Sequence, residues 1–143
     1  MASGARIGGI RILDGNGIYD QTEAAALSWN RNHVDIYSCS WGPNDTLAIY
    51  DGPRFLTRKA LREGTTFGRD GLGSLFVWAA GNGGDADQCN ADGYVTSIHT
   101  IAISAVSRSL MRSDYAEQCT SIMASTVRAG RARFYPVLIC FGP

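Results

Sequence analysis

The sequence predicts an α/β protein, a three-layer α/β/α fold on a mainly parallel sheet, and three observations carry that prediction. Four short apolar segments rich in Ile and Val recur along the chain, each of strand length. Of the intervals between the first three, one opens with a capping-box pattern and the next carries helical spacing. The stretch "SLFVWAAGNGG", Ser74 to Gly84, runs from strand-like residues straight into Gly-Asn-Gly-Gly. Such a run reads as a buried strand feeding a tight turn, and in open α/β sheets chemistry gathers at the carboxyl ends of strands. Asn82 is therefore placed like a working residue.

In chain order, "ARIGGIRIL" (Ala5 to Leu13) is the first expected strand. Asp20 followed three residues later by Glu23 has the form of a capping box, opening a helix through "QTEAAALSW". "VDIYSCS" (Val34 to Ser40) is the second strand, and Pro53, at an expected first helical position, opens a helix in which Leu56, Ala60 and Phe67 recur near helical spacing. "SLFVWA" (Ser74 to Ala79) and "IHTIAISA" (Ile98 to Ala105) complete the strands. Strand and helix alternate as in parallel β-α-β units with right-handed crossovers. Asp85 to Tyr94 is polar and acidic, which suits a functional surface loop.

The chain has 143 residues, 45% of them hydrophobic, enough for one domain with a core. Thirteen basic and thirteen acidic residues cancel, so no overall field points to nucleic acid or an anionic membrane. Charge is uneven locally: Asp45, Asp51, Asp85, Asp87, Asp92 and Glu117 fall in expected loops, and Arg128, Arg131 and Arg133 crowd the C-terminal tail. No segment has the length of a transmembrane helix, and "MASGARIGGI" has neither the apolar core nor the cleavage site of a secretory signal. The four cysteines have no C-x-x-C spacing, which argues against zinc and leaves one disulfide open. The glycines of "GRDGLGS" and "GNGG" do not form G-x-G-x-x-G after a first strand, and no P-loop lysine follows, which argues against a nucleotide-binding domain.

Four blocks taken together, "ARIGGIRILDG", "DIYSCSWGPND" with "YDGP", "GRDGLGSLFVWAAGNGG" and "CNADGY" through "YAEQC", resemble the proprotein convertase (furin and kexin) family of subtilisin-like serine proteases. The resemblance runs from about Ala5 to about Gly130, part of a catalytic domain, and leaves residues 131–143 as an unmatched tail. It implies that Asn82 donates its side-chain amide to the oxyanion of a tetrahedral intermediate, a role worth ~3 kcal/mol of barrier. The alternative is that Asn82 merely adopts a left-handed turn conformation. Ser40, Trp41, Gly42 and Pro43 match the edge along which an extended peptide substrate pairs.

The resemblance also implies that Asp45 and Asp92 line a pocket for a P1 arginine, whose guanidinium fork suits carboxylates. Asp45, Asp87 and Glu117 match side chains around a calcium ion, and Glu23 and Asp51 match acids that select a basic P4 residue. For Glu23 the capping box is the competing reading. Cys89 and Cys119 correspond to a disulfide pair, Cys39 reads as a small buried apolar residue, and Cys140 has no counterpart. The partners implied are proproteins with basic cleavage sites, met in the secretory pathway.

A subtilisin-like protease needs Asp, His and Ser in that chain order. Only His33, in a polar turn, and His99, inside an expected buried strand, are available; neither stands in the family's His-Gly-Thr context, and no Gly-Thr-Ser-x-Ala block occurs. In subtilisin, loss of the nucleophile or base costs roughly a factor of 10⁶ in turnover. The chain is thus expected to be a fragment or truncated isoform that does not cleave peptides by itself and folds marginally; binding of basic peptides or a propeptide without cleavage is the alternative. After "SWGP" the family's Asp-Asp-Gly-Lys is replaced by Asn44-Asp45-Thr46-Leu47-Ala48, which alters the surroundings of Asp45.

Overall fold

A computed structural model describes residues 4–13, 15, 17–45, 49–127 and 138–142. Thr46 to Ala48, and Arg128, Arg131 and Arg133 of the tail, lie outside the described residues. The chain divides into two units. The first comprises residues 1–40, 53–77 and 136–143, and the second residues 41–52 and 78–135. The α/β class expected from the sequence is the one adopted.

The first unit contains β1 (Arg6–Ile10), α1 (Asp20–Leu27), β2 (Ile36–Cys39), α2 (Phe55–Phe67) and β6 (Leu138–Gly142), together with the first residues of β3 (Leu75–Ala79). In α2 the buried residues Thr57, Ala60, Leu61 and Gly64 follow the i, i+3, i+4, i+7 spacing of one helical face. They pack with α1, whose buried residues Glu23, Ala26 and Leu27 repeat the first part of that spacing. Leu27, Tyr37, Leu61 and Phe76 are almost fully buried, each stabilising by about 1.5–3 kcal/mol. Tyr37 and Phe76 stack with ring centroids 5.0 Å apart. Gly64 lets the helix approach that ring, since a Cβ there would lie 2.6 Å from Phe76 Cζ. Gly64→Ala is expected to destabilise the chain by about 1–3 kcal/mol, read as a fall in urea midpoint.

The capping box is not formed. Tyr19 is the N-cap of α1 and makes no side-chain cap bond. Asp20 turns instead to the start of α2, where its carboxylate accepts from the N–H groups of Leu56 (2.9 Å) and Thr57 (2.9 Å) and from the Thr57 hydroxyl (2.8 Å). Arg54, the N-cap of α2, offers no capping oxygen, so the first helix caps the second. Burial works against the Asp20 charge, but these donors and Arg54 hold its carboxyl below the usual range. Asp20→Ala is expected to lower the denaturant midpoint, and Asp20→Asn to lower it less.

β1 and β2 are not neighbours, although they are successive strands. β6, from the tail whose residues carry no strand period, lies between them and runs antiparallel to both. The second unit holds the end of β3, β4 (Ile101–Val106) and β5 (Ile122–Val127), with β4 and β5 parallel. β5 was not expected from the sequence; five of its six residues are exposed, so no alternation marks it. His99 lies in a turn before β4, not inside a strand. Thr100 Oγ1 donates to the carbonyls of Tyr94 (2.5 Å) and Ser97 (3.1 Å), and these bonds close the turn, leaving Ile98 94% exposed. No described helix is long and apolar enough to cross a membrane.

A candidate cation and peptide site

All but two of the expected site residues belong to the second unit, and their frame is an aromatic stack. Trp78, fully buried at the end of β3, meets Trp41 edge-on at 4.6 Å and stacks on Tyr94 at 4.7 Å. Its indole N–H donates to the Trp41 carbonyl at 2.6 Å. One buried residue thus ties the segment before Gly42 to the segment after Asp92. Nothing in the sequence marks Trp78 for this role, because its partners lie 37 and 16 positions away.

Directly after β3 the chain turns through Gly81-Asn82-Gly83-Gly84. Gly81 (φ +102°) and Gly84 (φ +62°) occupy the left-handed region, whereas Asn82 does not. The turn therefore does not need asparagine for its backbone, which removes the conformational explanation for Asn82. Its backbone N–H donates to Asp45 Oδ2 at 3.2 Å. Its side chain is exposed, and no hydrogen bond among the described residues engages the side-chain amide.

Three carboxylates converge on this turn. Asp45, Asp87 and Glu117 each offer an oxygen, and the three lie within 4.8 Å of one another. Glu117 is 4% exposed and accepts from the Gly83 N–H at 2.9 Å. A Cβ on Gly81 would strike the Glu117 carboxylate, and one on Gly83 would strike Asp87. Only glycine lets the turn seat itself among these acids. No lysine or arginine bridges the three among the described residues; Arg112 pairs with Asp85 at 2.7 Å, outside the cluster. Burial pushes the Glu117 carboxyl up, and Asp45, Asp87 and Asp92 add to that push against the Gly83 bond. Oxygen-only donors of high charge and no internal cation fit a hard ion such as calcium. The Cys89–Cys119 disulfide holds two of the three, since Asp87 and Glu117 each stand two residues before a bridged cysteine.

Beside the cluster, Asp92 accepts from the N–H groups of Tyr94 (2.6 Å) and Val95 (3.2 Å). A Cβ on Gly42 would sit 2.7 Å from Asp92 Oδ2, so the backbone at Gly42 passes directly over this carboxylate. Pro43, Asp45, Asp87, Gln88, Asp92 and Glu117 line one shallow pocket. Asp51 is exposed; its backbone bridges the Asp92 loop through Gly93 N–H to Asp51 O at 2.9 Å, and its carboxylate accepts from Gly52 N–H. The other two expected residues belong to the first unit. There Ser40 is exposed just past β2, and Glu23 is buried, accepting from the Thr57 hydroxyl at 3.1 Å.

Burial raises the Asp92 carboxyl from 3.8 to about 6, opposed by the two backbone donors and reinforced by Asp45 and Asp87. An acid with a raised native pKa favours folding while it is protonated, and that contribution is lost as pH rises from about 4 through about 6. In chelator, Asp92→Asn should therefore gain stability relative to the unaltered chain across this window, on the order of 3 kcal/mol at its end. Thermal melts of both proteins against pH measure the difference; parallel curves would contradict the shift.

Residues 1–134 match the subtilase family (Peptidase S8), and the chain belongs to that family. Its resemblance to the proprotein convertases is borne out. The chain is 49% identical over 133 residues to proprotein convertase subtilisin/kexin type 5 of Homo sapiens, covering 92% of this chain and 7% of that protein. It is 50% identical to furin-like protease 2 of Drosophila melanogaster over 131 residues, 91% of this chain and 8% of that protein. It is also 50% identical to endoprotease bli of Onchocerca volvulus over 127 residues, 88% of this chain and 18% of that protein. The chain therefore spans less than a fifth of the length of these relatives.

Proposed function

We propose that this chain carries the oxyanion donor, the P1 pocket and a calcium site of a serine endopeptidase that processes proproteins after paired basic residues in the secretory pathway. The free side-chain amide of Asn82, at a turn seated among acids, carries this reading. In it, Asn82 donates to the developing oxyanion of a peptide carbonyl. Asp92, with Asp45, accepts the P1 guanidinium, and the backbone at Ser40 and Gly42 pairs with the peptide. Asp51 favours a basic P4 residue. Calcium held by Asp45, Asp87 and Glu117 would supply fixed positive charge that keeps the three carboxylates together beneath the turn.

The chain by itself binds without cutting. His33 and His99 both lie in turns, the first closed by His33 N–H to Asn30 O at 2.8 Å and the second by His99 N–H to Ser97 Oγ at 3.1 Å, and neither stands in the family's His-Gly-Thr context. A fluorogenic peptide ending in Lys-Arg, incubated with the chain in calcium, should be bound and released intact. Hydrolysis above buffer that tracks the purified chain would overturn the inactive part of the reading, and absence of binding would overturn the pocket.

A further inference from the structure

Of the asparagines in the sequence, one alone stands in an Asn-x-Ser/Thr pattern: Asn44, in Asn44-Asp45-Thr46, with no proline between. That pattern is the acceptor for N-linked sugar when it ends on the surface of a protein that enters the secretory pathway. Asn82, followed by Gly83 and Gly84, lacks the hydroxyl residue and stays unmodified. The pattern falls where Asn44-Asp45-Thr46-Leu47-Ala48 replaces the family's Asp-Asp-Gly-Lys, so it belongs to this chain and not to the family. The fold places Asn44 as an acceptor must be placed. It is exposed, outside every helix and strand, and no hydrogen bond among the described residues engages its side chain. The next residue, Asp45, is tied to the glycine turn by the bond from Asn82 N–H at 3.2 Å. Asn44 itself lines the same shallow pocket as Asp45, Asp92 and Glu117.

We propose that Asn44 is an N-glycosylation site, and that its sugar chain stands at the rim of the acid-lined pocket, where it restricts the entry of peptides but not of ions. This rests on the secretory-pathway reading above. The donor is an oligosaccharide joined through diphosphate to a polyprenyl lipid, and a membrane transferase of the host cell performs the step. Asn44 Nδ2 attacks the anomeric carbon of the first sugar. A C–N bond forms, the C–O bond to the diphosphate breaks with its electron pair going to the phosphate oxygen, and the amide gives up one proton. Nothing is oxidised or reduced. Transfer takes place on the extended chain as it enters the lumen, so the folded loop has only to carry the product. An exposed side chain without a bonding partner carries a bulky, hydrated group at no cost to the core. The backbone at Gly42 passes over Asp92, and Asn44 follows two residues later, so a peptide lying along this edge meets the sugar. The transferred sugars are neutral, which leaves the acids their charge and a small cation its access.

The test is the full-length chain carrying a cleavable secretory leader, expressed in glycosylating eukaryotic cells. A form of reduced gel mobility should appear, collapse on treatment with peptide N-glycosidase, and show aspartate at position 44 by peptide mass mapping afterwards. Asn44→Gln and Thr46→Ala should each abolish that form, and Thr46→Ser should keep it. The Cys89–Cys119 disulfide marks chains that have reached an oxidising lumen. Disulfide-bonded chain without sugar overturns the site. Chain recovered from its own cells with neither sugar nor disulfide, yet modified when given the leader, overturns the secretory-pathway reading and upholds the acceptor. The glycosylated chain should bind the Lys-Arg peptide about tenfold more weakly than the Thr46→Ala chain, which keeps Asn44 bare, while calcium shifts the melting of both alike. Equal peptide affinity in the two overturns the restriction. Absence of peptide binding by Thr46→Ala overturns the pocket and the restriction with it, and the sugar assignment then stands on the mobility and mass data.

Discussion

Calcium is expected to raise the melting temperature of the metal-free chain by roughly 10 °C at a hundredfold excess over its dissociation constant, and Glu117→Gln is expected to abolish most of that rise. The size follows from linkage, which gives about 2.7 kcal/mol at that excess. The direction follows from the site: three carboxylates within 4.8 Å of one another, one almost fully buried, repel until a cation joins them. Glutamine preserves the bond from Gly83 N–H while removing a buried charge, so Glu117→Gln without metal should be at least as stable as the unaltered chain. Gly81→Ala, which drives a methyl into the Glu117 carboxylate and strains a left-handed backbone, should lower both stability and calcium affinity. Differential scanning fluorimetry with chelator or calcium separates these cases. A shift that survives Glu117→Gln intact would place the ion elsewhere.

Breaking the disulfide has the second large effect. Cys89 and Cys119 are 30 residues apart in sequence, and constraining a loop of that size stabilises by about 3–4 kcal/mol in the chain-entropy model. Cys119→Ser should lose that stability. It should also weaken calcium binding by about tenfold, because Asp87 and Glu117 then approach the ion on two untied segments. Denaturant unfolding gives the first quantity and calorimetric titration the second. Equal calcium affinity in the two proteins would show that the turn alone organises the cluster.

Much of the frame was legible because its signals are local. The apolar run of β3 ending in Gly-Asn-Gly-Gly survives in the structure almost residue for residue, whereas in α2 only Ala60 of the three expected positions is buried and Phe67 is exposed. What escaped depends on contacts distant in sequence. Asp20 and Glu23 have the spacing of a capping box, yet Asp20 caps a helix 36 residues further on and Glu23 meets the same helix start. β6 pairs with strands from the other end of the chain on both edges, a relation no window of sequence contains. The acids at Asp45, Asp87, Asp92 and Glu117 were read through family resemblance. Their convergence on a glycine turn, and the role of Trp78 in fixing the flanking segments, required coordinates.

If the acid-lined pocket beside Asn82 receives a guanidinium, binding depends on the charge of the peptide's recognition side chain. Isothermal titration of the chain, in calcium, with a peptide carrying arginine at its recognition position and with the same peptide carrying neutral citrulline tests it most directly. The expected result is saturable binding of the arginine peptide, at least tenfold weaker binding of the citrulline peptide, and loss of that discrimination in Asp92→Asn. Equal affinity for the two peptides, or discrimination untouched by Asp92→Asn, would contradict it.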